Sequence, residues 1–367
     1  MPKKKTSKRA TELRKMTERP KKKKTLSKED LLSTGSTLLN ISCTGMPEGG
    51  FVKGRYFFLV GDSSSGKTFL SLTCFAEASL NPNFKNYRLI YDDVEGGALM
   101  DFERFFGKPV ADRVESPVVE DGVPRCSRTI EEFYFNIHDA LDEGTPFIYV
   151  LDSMDSLSSN YEGKKFDEKK TEHEGGAKAK GDYGDGKAKI NSGYLRKVLS
   201  RLEESGSILI IISQTRDNVG GGMFDEQQIH SGGRALKFYA CLQLWSGRGK
   251  TLKKSHKGID RQIGIISKIR VRKNRLTGRE VSVEVPIYHS YGIDDTGSCV
   301  DFLVKEKHWK KAGQSISAPE FDFKGTRTKL IELIEEEELE FDLRDIVSEV
   351  YSDIQEAIKL DRKKRYE

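Results

Sequence analysis

Residues Gly61 to Thr68 have the types and spacing of a phosphate-binding loop, G-x-x-x-x-G-K-T. They follow an apolar run, Tyr56–Val60, that is typical of a buried strand, and they precede an apolar helical pattern. In such a unit the backbone N–H groups surround the phosphates, Lys67 contacts the β- and γ-phosphate oxygens, and Thr68 contacts Mg²⁺. The expected nucleotide contacts are Gly61, Asp62, Ser63, Ser64, Ser65, Gly66, Lys67 and Thr68. The sequence therefore predicts a site for a nucleoside triphosphate with Mg²⁺.

Two acidic positions at the ends of later strand-like runs extend this chemistry. Asp152 follows the apolar run Phe147–Leu151, which places its carboxylate at the carboxyl edge of a parallel sheet, where it can bind Mg²⁺ together with Thr68. Glu95 is the last member of an acidic cluster after another strand-like run, and we expect it to activate the attacking water. The alternative for this cluster is an acidic turn that is only solvated.

The elements that must position these residues alternate along the chain. Strand-like runs separated by amphipathic helical patterns predict an α/β fold, with a mostly parallel twisted sheet and helices on both faces. The strand-like runs are Tyr56–Val60, Leu89–Tyr91, Phe147–Leu151 and Ile208–Ile212, and the helical patterns include Ile130–Leu141 and Tyr194–Leu202. Three later runs without helices between them, Cys241–Trp245, Gln262–Arg272 and Val281–Val285, predict an antiparallel extension of the sheet.

The chain divides into three predicted parts. Residues 1–28 form a basic arm, residues 29–294 form the core, and residues 295–367 form a small, mainly helical C-terminal domain. The helical patterns in that last part are Thr326–Glu338 and Leu343–Leu360. Two charged or glycine-rich stretches, at about 158–190 and 216–231, predict mobile loops within the core.

Charge is unevenly distributed, although the formal net charge is only +5. Residues 1–28 contain thirteen Lys or Arg and two Glu, whereas Glu332 and Glu335–Glu338 make the C-terminal region acidic. The basic arm could bind DNA, a neighbouring subunit or an import receptor, and the sequence leaves these uses open. A solvated tail is the remaining alternative.

Composition excludes several classes of protein. The five cysteines never approach C-x-x-C spacing and the six histidines have no ligand spacing, so we expect neither a zinc site nor a disulfide framework. The longest apolar run, Ile208–Ile212, is far too short for a membrane span, and no signal peptide is expected. We expect a cytoplasmic, nucleoid-associated protein.

The order of these motifs resembles that of the RecA family of DNA recombinases. The segments that carry the resemblance are GDSSSGKT, DDVEGG, YVLDS, IIISQTR and a glycine-containing loop followed by GG-R-ALKFYA, within Leu31 to Gly313. The long charged loop and the basic arm are more similar to bacteriophage members. The resemblance implies a RecA-like ATPase core that uses ATP and Mg²⁺, polymerises as a helical filament on single-stranded DNA and exchanges strands with double-stranded DNA. A loader or single-strand-binding protein is a further implied partner.

The resemblance also assigns roles within the nucleotide site. Glu95 would be the general base, and Phe102 would stack on adenine. Gln214 would sense the γ-phosphate and couple it to the loop at 216–231. Lys273 and Arg275 match two cations that reach a neighbour's ATP, so hydrolysis would depend on assembly.

The implied DNA contacts lie in and beside the two loops. Backbone N–H groups of glycine can meet phosphates, arginine releases counterions, and a β-branched side chain can wedge between bases. These positions are Ser192, Arg196, Arg216, Val219, Gly220, Gly221, Gly222, Met223, Phe224, Ser231, Gly232, Gly233 and Arg234.

The chain departs from the bacterial pattern at two positions. Gln243 stands where the bacterial protein has an interface arginine, and Arg275 replaces a lysine. Lys273-Asn274-Arg275 is also similar to a motif of RadA-type motors, whose zinc knuckle and protease-like domain we do not expect here. Two alternatives stay open, namely a ring-forming DNA motor or branch-migration ATPase, and a non-hydrolysing filament scaffold or mediator.

Overall fold

The structure is a computed structural model that describes residues 26–96, 101–165, 170, 186–217 and 228–363. The strands are β1 (Leu31–Leu32), β2 (Phe51–Val52), β3 (Tyr56–Gly61), β4 (Arg88–Asp93), β5 (Val114–Glu115), β6 (Val118–Glu120), β7 (Val123–Arg125), β8 (Phe147–Asp152), β9 (Ile208–Asp217), β10 (Gln228–His230), β11 (Leu242–His256), β12 (Ile259–Asn274), β13 (Ser282–Tyr288), β14 (Gly292–Ile293), β15 (Lys310–Ala312), β16 (Ser315–Ala318) and β17 (Phe323–Thr326). The helices are α1 (Thr37–Thr44), α2 (Lys67–Leu80), α3 (Phe102–Phe106), α4 (Lys108–Ala111), α5 (Ile130–Asp142), α6 (Gly186–Ser205), α7 (Arg234–Tyr239), α8 (Asp295–Lys305), α9 (Arg327–Glu336) and α10 (Glu340–Ala357).

Ten of the described strands form one sheet. Its order is β14-β13-β12-β11-β3-β9-β8-β4-β5, and β10 pairs with the end of β9. Every pairing from β5 to β11 is parallel, whereas β11, β12, β13 and β14 pair antiparallel to one another. This arrangement confirms the predicted mostly parallel sheet with an antiparallel extension.

The strand predicted at Cys241–Trp245 differs from the expectation on one side. Leu242 to Ser246 pair in parallel with β3, so the prediction of an antiparallel strand is wrong on this side of the run. The reason is the short helix α7, which returns the chain to the amino edge of the sheet before β11 begins. The same strand then pairs antiparallel with β12 on its other side.

The central strands are buried on both faces, which explains their continuous apolar runs. All six residues of β3 are buried. Phe57 and Leu59 pack with α2 in one apolar cluster, whereas Phe58 and Val60 pack with α5 and α6 in another. Because side chains alternate along a strand, one short run supplies both halves of the core.

The register brings polar residues together at the carboxyl edge of the sheet. Gly61 at the end of β3 lies opposite Gln214 of β9, and Asp93 at the end of β4 lies opposite Asp152 of β8. In open α/β sheets this edge is where ligands bind. Four separate stretches of chain therefore meet at one site.

The prediction of a loop at about 158–190 is wrong at both ends of that range. Residues 160–165 are helical, and α6 begins at Gly186. The amphipathic pattern of α6 includes Leu195, Val198 and Leu202, which are fully buried against the sheet and hold this helix in place. The intervening stretches 166–169 and 171–185 lie outside the described residues, as do residues 1–25 of the basic arm.

Residues beyond β14 build a separate apolar cluster around the buried Trp309. Helices α8, α9 and α10 contribute to this cluster, and Ile41 of α1 joins it from the core. Strands β15, β16 and β17 form a three-stranded sheet that the sequence analysis did not predict. Lys310–Ala312 is fully exposed, so it has no apolar pattern to reveal a strand. Within the described ranges, no helix has the length and apolar character needed to cross a membrane.

Candidate nucleotide site and DNA loop stem

The phosphate loop joins β3 to α2 in the predicted way. Lys67 is buried at the first position of α2, and its Nζ donates to the carbonyl oxygens of Gly61 at 2.9 Å and Asp62 at 2.6 Å. Gly66 has φ +91°, and a Cβ there would lie 2.7 Å from Ile287 Cδ1, so only glycine fits this turn. The loop therefore surrounds its lysine and leaves the N-terminus of a 14-residue helix facing the nucleotide site.

Two hydroxyl groups from the antiparallel part of the sheet anchor this loop. Ser246 Oγ of β11 donates to the Ser65 carbonyl at 2.9 Å, and Ser267 Oγ of β12 donates to the same oxygen at 2.6 Å. The hydroxyl of Ser65 itself is buried without a hydrogen-bond partner among the described residues. An acceptor such as a phosphate oxygen would satisfy that donor, so the loop fits a nucleotide.

The predicted Mg²⁺ ligands are in direct contact. Thr68 Oγ1 donates to Asp152 Oδ2 at 2.5 Å. Burial raises the pKa of Asp152 to about 6, and the carboxylates of Glu95 and Asp93 contribute to this shift, against the hydrogen bond from Thr68. No cluster of three or more His, Cys, Asp or Glu in the described chain is arranged to hold a metal. Mg²⁺ in a nucleotide site needs only one or two protein oxygens beside phosphates and water, so Thr68 and Asp152 fit it.

Glu95 and Gln214 meet beside this pair. Glu95 Oε1 accepts hydrogen bonds from Ser153 Oγ at 2.6 Å and from Gln214 Nε2 at 2.9 Å. Gln214 extends from β9, the strand next to the phosphate loop, whereas Glu95 follows β4 two strands further along. The structure therefore brings together the residues predicted as general base and γ-phosphate sensor. The contact between Gln214 and Glu95 also links the carboxyl edge of the sheet to β9, the strand that enters the loop at 216–231, which is the second loop.

A cavity of about 490 Å³ adjoins the phosphate loop. It is lined by Ser64, Ser65, Gly66, Lys67, Thr68, Phe69, Phe105, Arg248, Gln262, Ile265, Ile287, Tyr288 and His289. Phe105 lies edge-on to Phe69 with 5.2 Å between ring centroids. Phe102 is not part of the described lining, because its ring packs inward against Tyr91 and Phe106. Phe105 is therefore a second candidate for contact with the base, and the stacking of Phe102 on adenine stays a prediction.

Lys273 and Arg275 lie at the opposite edge of the sheet. Lys273 Nζ donates to the carbonyl oxygens of Lys237 at 2.8 Å and Phe238 at 2.6 Å, and Arg275 Nη2 donates to Phe238 O at 2.7 Å. The N–H of Arg275 donates to Cys241 O, and the N–H of Cys241 donates to Tyr56 O, so Arg275 lies at the same height in the sheet as Tyr56. From Tyr56 to Gly61, β3 spans about 16 Å, longer than either side chain. Neither cation can reach the phosphate loop of its own chain.

The second loop is held at both stems by one carboxylate. Asp155 Oδ2 accepts from Ser213 Oγ and from the backbone N–H of Gln214, each at 2.7 Å. Asp155 Oδ1 accepts from Ser231 Oγ and lies 3.5 Å from Arg216 Nη2. Thr215, on the same stem, donates its hydroxyl to Asp62 of the phosphate loop. The phosphate loop and the loop at 216–231 are therefore linked to each other through β9.

Comparison with known proteins finds similarity to one family. A family profile described as the RecA N-terminal domain matches residues 168–294. The protein RecA of Cytophaga hutchinsonii is 29% identical over 303 residues, which are 81% of this chain and 73% of that protein. The protein RecA of Helicobacter hepaticus is 28% identical over 80% of this chain and 76% of that protein, and that of Clostridium beijerinckii is 28% identical over 89% and 82%. The chain is therefore similar to RecA proteins over about four fifths of its length. The similarity to bacteriophage members stays a prediction.

Helix α6 carries the DNA-contacting positions predicted next to the first loop. Arg196 is exposed and lies one turn after the half-buried Ser192, so both are on one face of α6. Gly232 and Gly233 have φ +81° and +85°, and a Cβ on Gly233 would lie 2.5 Å from Ala188 Cβ. These two glycines therefore allow the exit of the second loop to pack closely on α6.

The loop at 216–231 is only partly described. Arg216, Ser231 and the exposed Arg234 are described, whereas Val219, Gly220, Gly221, Gly222, Met223 and Phe224 lie outside the described residues. The sequence analysis missed Asp155, Phe105, Ser246 and Ser267. Asp155 could have been recognised as a second acid three residues after Asp152. Ser246 and Ser267 could not, because they lie in strand-like runs whose sequence does not distinguish them from other serines.

Proposed function

We propose that this chain is an ATP-dependent DNA recombinase that polymerises on single-stranded DNA, searches for homology and exchanges strands with a duplex. The observation that carries the proposal is the direct link between the two sites. Gln214 contacts Glu95, and Thr215 contacts Asp62, so the strand that begins the DNA loop touches the nucleotide machinery at two points. A DNA-dependent ATPase needs such a link, whereas a scaffold without hydrolysis needs no water-activating acid.

Each residue of the nucleotide edge has a role in this proposal. Lys67 and the N–H groups of the phosphate loop bind the triphosphate, and Thr68 and Asp152 hold Mg²⁺. Mg²⁺, when bound, neutralises charge that develops on the phosphate oxygens. Glu95 orients a water for attack and accepts its proton, and Gln214 exchanges its hydrogen bond with Glu95 for one to the γ-phosphate. Phe105 provides the aromatic face for adenine, beside Phe69.

The cations of the amino edge act on a second copy of the chain. Lys273 and Arg275 contact the carbonyl oxygens at the end of α7 and lie far from their own phosphate loop. In a filament they would face the triphosphate of the neighbour and stabilise charge in the transition state, as arginine fingers do. Hydrolysis then requires assembly, and single-stranded DNA stimulates it by promoting assembly.

DNA binding uses the two loops and the helix between them. Arg196 and Arg216 are exposed and supply phosphate contacts, and the loop after Arg216 supplies further contacts from the positions assigned above. We assign the basic arm to duplex DNA or to the adjacent subunit. A loader or single-strand-binding protein is a further proposed partner, and the proposed location is the cytoplasm, at the nucleoid.

Electron microscopy of negatively stained protein tests this function. The protein is mixed with single-stranded DNA and a non-hydrolysable ATP analogue, with ADP as the matched control. We expect continuous helical filaments with the analogue and none with ADP. Discrete rings would favour the ring-forming motor, and filaments that form equally without nucleotide would favour the scaffold.

A further inference from the structure

Asp155 makes more contacts to the second loop than any other acid described above, and neither the sequence analysis nor the proposed function gives it a role. Its side chain is only 9% exposed. It accepts from Ser213, Gln214 and Ser231 and pairs with Arg216. These partners lie on both stems of one loop, since Arg216 belongs to β9 and Ser231 follows β10.

Within the described residues, the backbones of the two stems pair through a short ladder. Thr215, Arg216 and Asp217 lie opposite His230, Ile229 and Gln228. A three-residue antiparallel ladder is weak by itself, because isolated hairpins are marginal in water. A buried carboxylate with several donors is a stronger constraint, since hydrogen bonds to an ionised group stabilise about twice as much as neutral ones.

The two carboxylate oxygens of Asp155 have different partners, and Oδ2 contacts the strand that leads to the nucleotide site. Oδ2 accepts from the N–H of Gln214, whose side chain contacts Glu95. Oδ1 is committed to the DNA side, where it meets Ser231 and Arg216. A change in the backbone at Gln214 therefore alters the position of the carboxylate that holds the other stem.

We infer that Asp155 is a positioning residue that holds Gln214 and both stems of the DNA loop in one arrangement, and so couples nucleotide state to affinity for single-stranded DNA. This inference rests on the proposed function. Arg216 is 58% exposed and has Asp155 as its partner, so a DNA phosphate competes with Asp155 for it. The remaining three hydrogen bonds keep the stems together after Arg216 turns to DNA.

The test measures affinity for a labelled oligothymidine in ADP and in a non-hydrolysable ATP analogue, at one salt concentration. The readout is the ratio of the two dissociation constants, because a lost DNA contact or a general loss of stability lowers both affinities alike. We expect Asp155→Ala to reduce this ratio by about fivefold or more, the usual range of coupling between sites. Asp142→Asn is the matched control, because Asp142 also pairs with an arginine, Arg201, but on the surface between α5 and α6.

A second pair of variants protects the test against misfolding. Ser231→Ala removes the hydrogen bond from the exit stem to Asp155 and should also reduce the ratio, whereas a lost DNA contact at Ser231 would weaken binding alike in both nucleotides. Ser231→Thr keeps the hydroxyl and should keep the ratio of the wild type. An unchanged ratio in both Asp155→Ala and Ser231→Ala would overturn the inference. If the wild type already shows a ratio of one, the proposed function fails and this inference with it, so the two failures are distinguishable.

Discussion

The two edges of the central sheet differ in what they hold. The carboxyl edge holds a continuous polar site. Lys67 donates to the carbonyl oxygen of Gly61, Thr68 donates to Asp152, and Glu95 accepts from Ser153. At the amino edge, Lys273 and Arg275 contact carbonyl oxygens of α7 and the ring of Phe238. The carboxyl edge is the proposed site of binding and hydrolysis, whereas the two cations of the amino edge form no ion pair within the described residues. Under the proposed function, the amino edge of one copy meets the carboxyl edge of the next.

The largest expected effect separates chemistry from binding at the carboxyl edge. Glu95→Gln should keep ATP affinity and reduce DNA-stimulated hydrolysis by about 10²–10⁴-fold, because it removes the proton acceptor but not the phosphate contacts. Phosphate release and binding of a fluorescent ATP analogue measure the two properties. Glu336→Gln on the exposed face of α9 is the matched control. Normal hydrolysis by Glu95→Gln would move the base elsewhere.

The second effect tests the amino edge directly. The double variant Lys273→Ala, Arg275→Ala should lose about 10³-fold in stimulated hydrolysis, the lower range for cations supplied by another subunit. Mixed with Glu95→Gln protein, it should regain activity, since about a quarter of the junctions then combine an intact base with intact cations. Two inactive proteins that stay inactive together would show that the cations do not act across a junction.

The third effect concerns the aromatic residues beside the cavity. Phe105→Ala should weaken ATP binding by about tenfold through loss of stacking on the base. Phe102→Ala should instead lower the free energy of unfolding by about 3 kcal/mol with little change in affinity, because its ring packs against Tyr91 and Phe106. Isothermal titration and denaturant unfolding of both variants decide between them. The reverse pattern would restore Phe102 to the base.

The smallest effect is a pH dependence at the amino edge. Burial and then the charge of Arg275 lower the pKa of Lys273 to about 8, so Lys273 is a cation below that pH and loses its charge above it. Stimulated hydrolysis should therefore fall as pH rises through about 8. Lys273→Arg should move this fall to higher pH, because arginine stays protonated. Coincident profiles would mean that the charge of Lys273 is not used.

The same contrast explains what the sequence could predict. The phosphate loop and the acids Asp152 and Glu95 were found because each stands next to its own strand, so local pattern fixes their place. Phe105 was missed because spacing along a short helix did not show which ring faces the cavity. Asp155 was missed because its partners, Ser213 and Ser231, are distant along the chain. The parallel pairing of β11 likewise depends on a crossover that no local run reveals.

Because Arg275 lies far from the phosphate loop of its own chain, the two end subunits of any polymer would differ from each other. If sites form only at junctions, a polymer contains one complete site fewer than its subunits, and the subunit at one end binds ATP without the cations. Turnover per subunit then rises with length in short polymers and levels off in long ones. The end without cations keeps its nucleotide longest, so growth and loss of subunits should differ between the two ends.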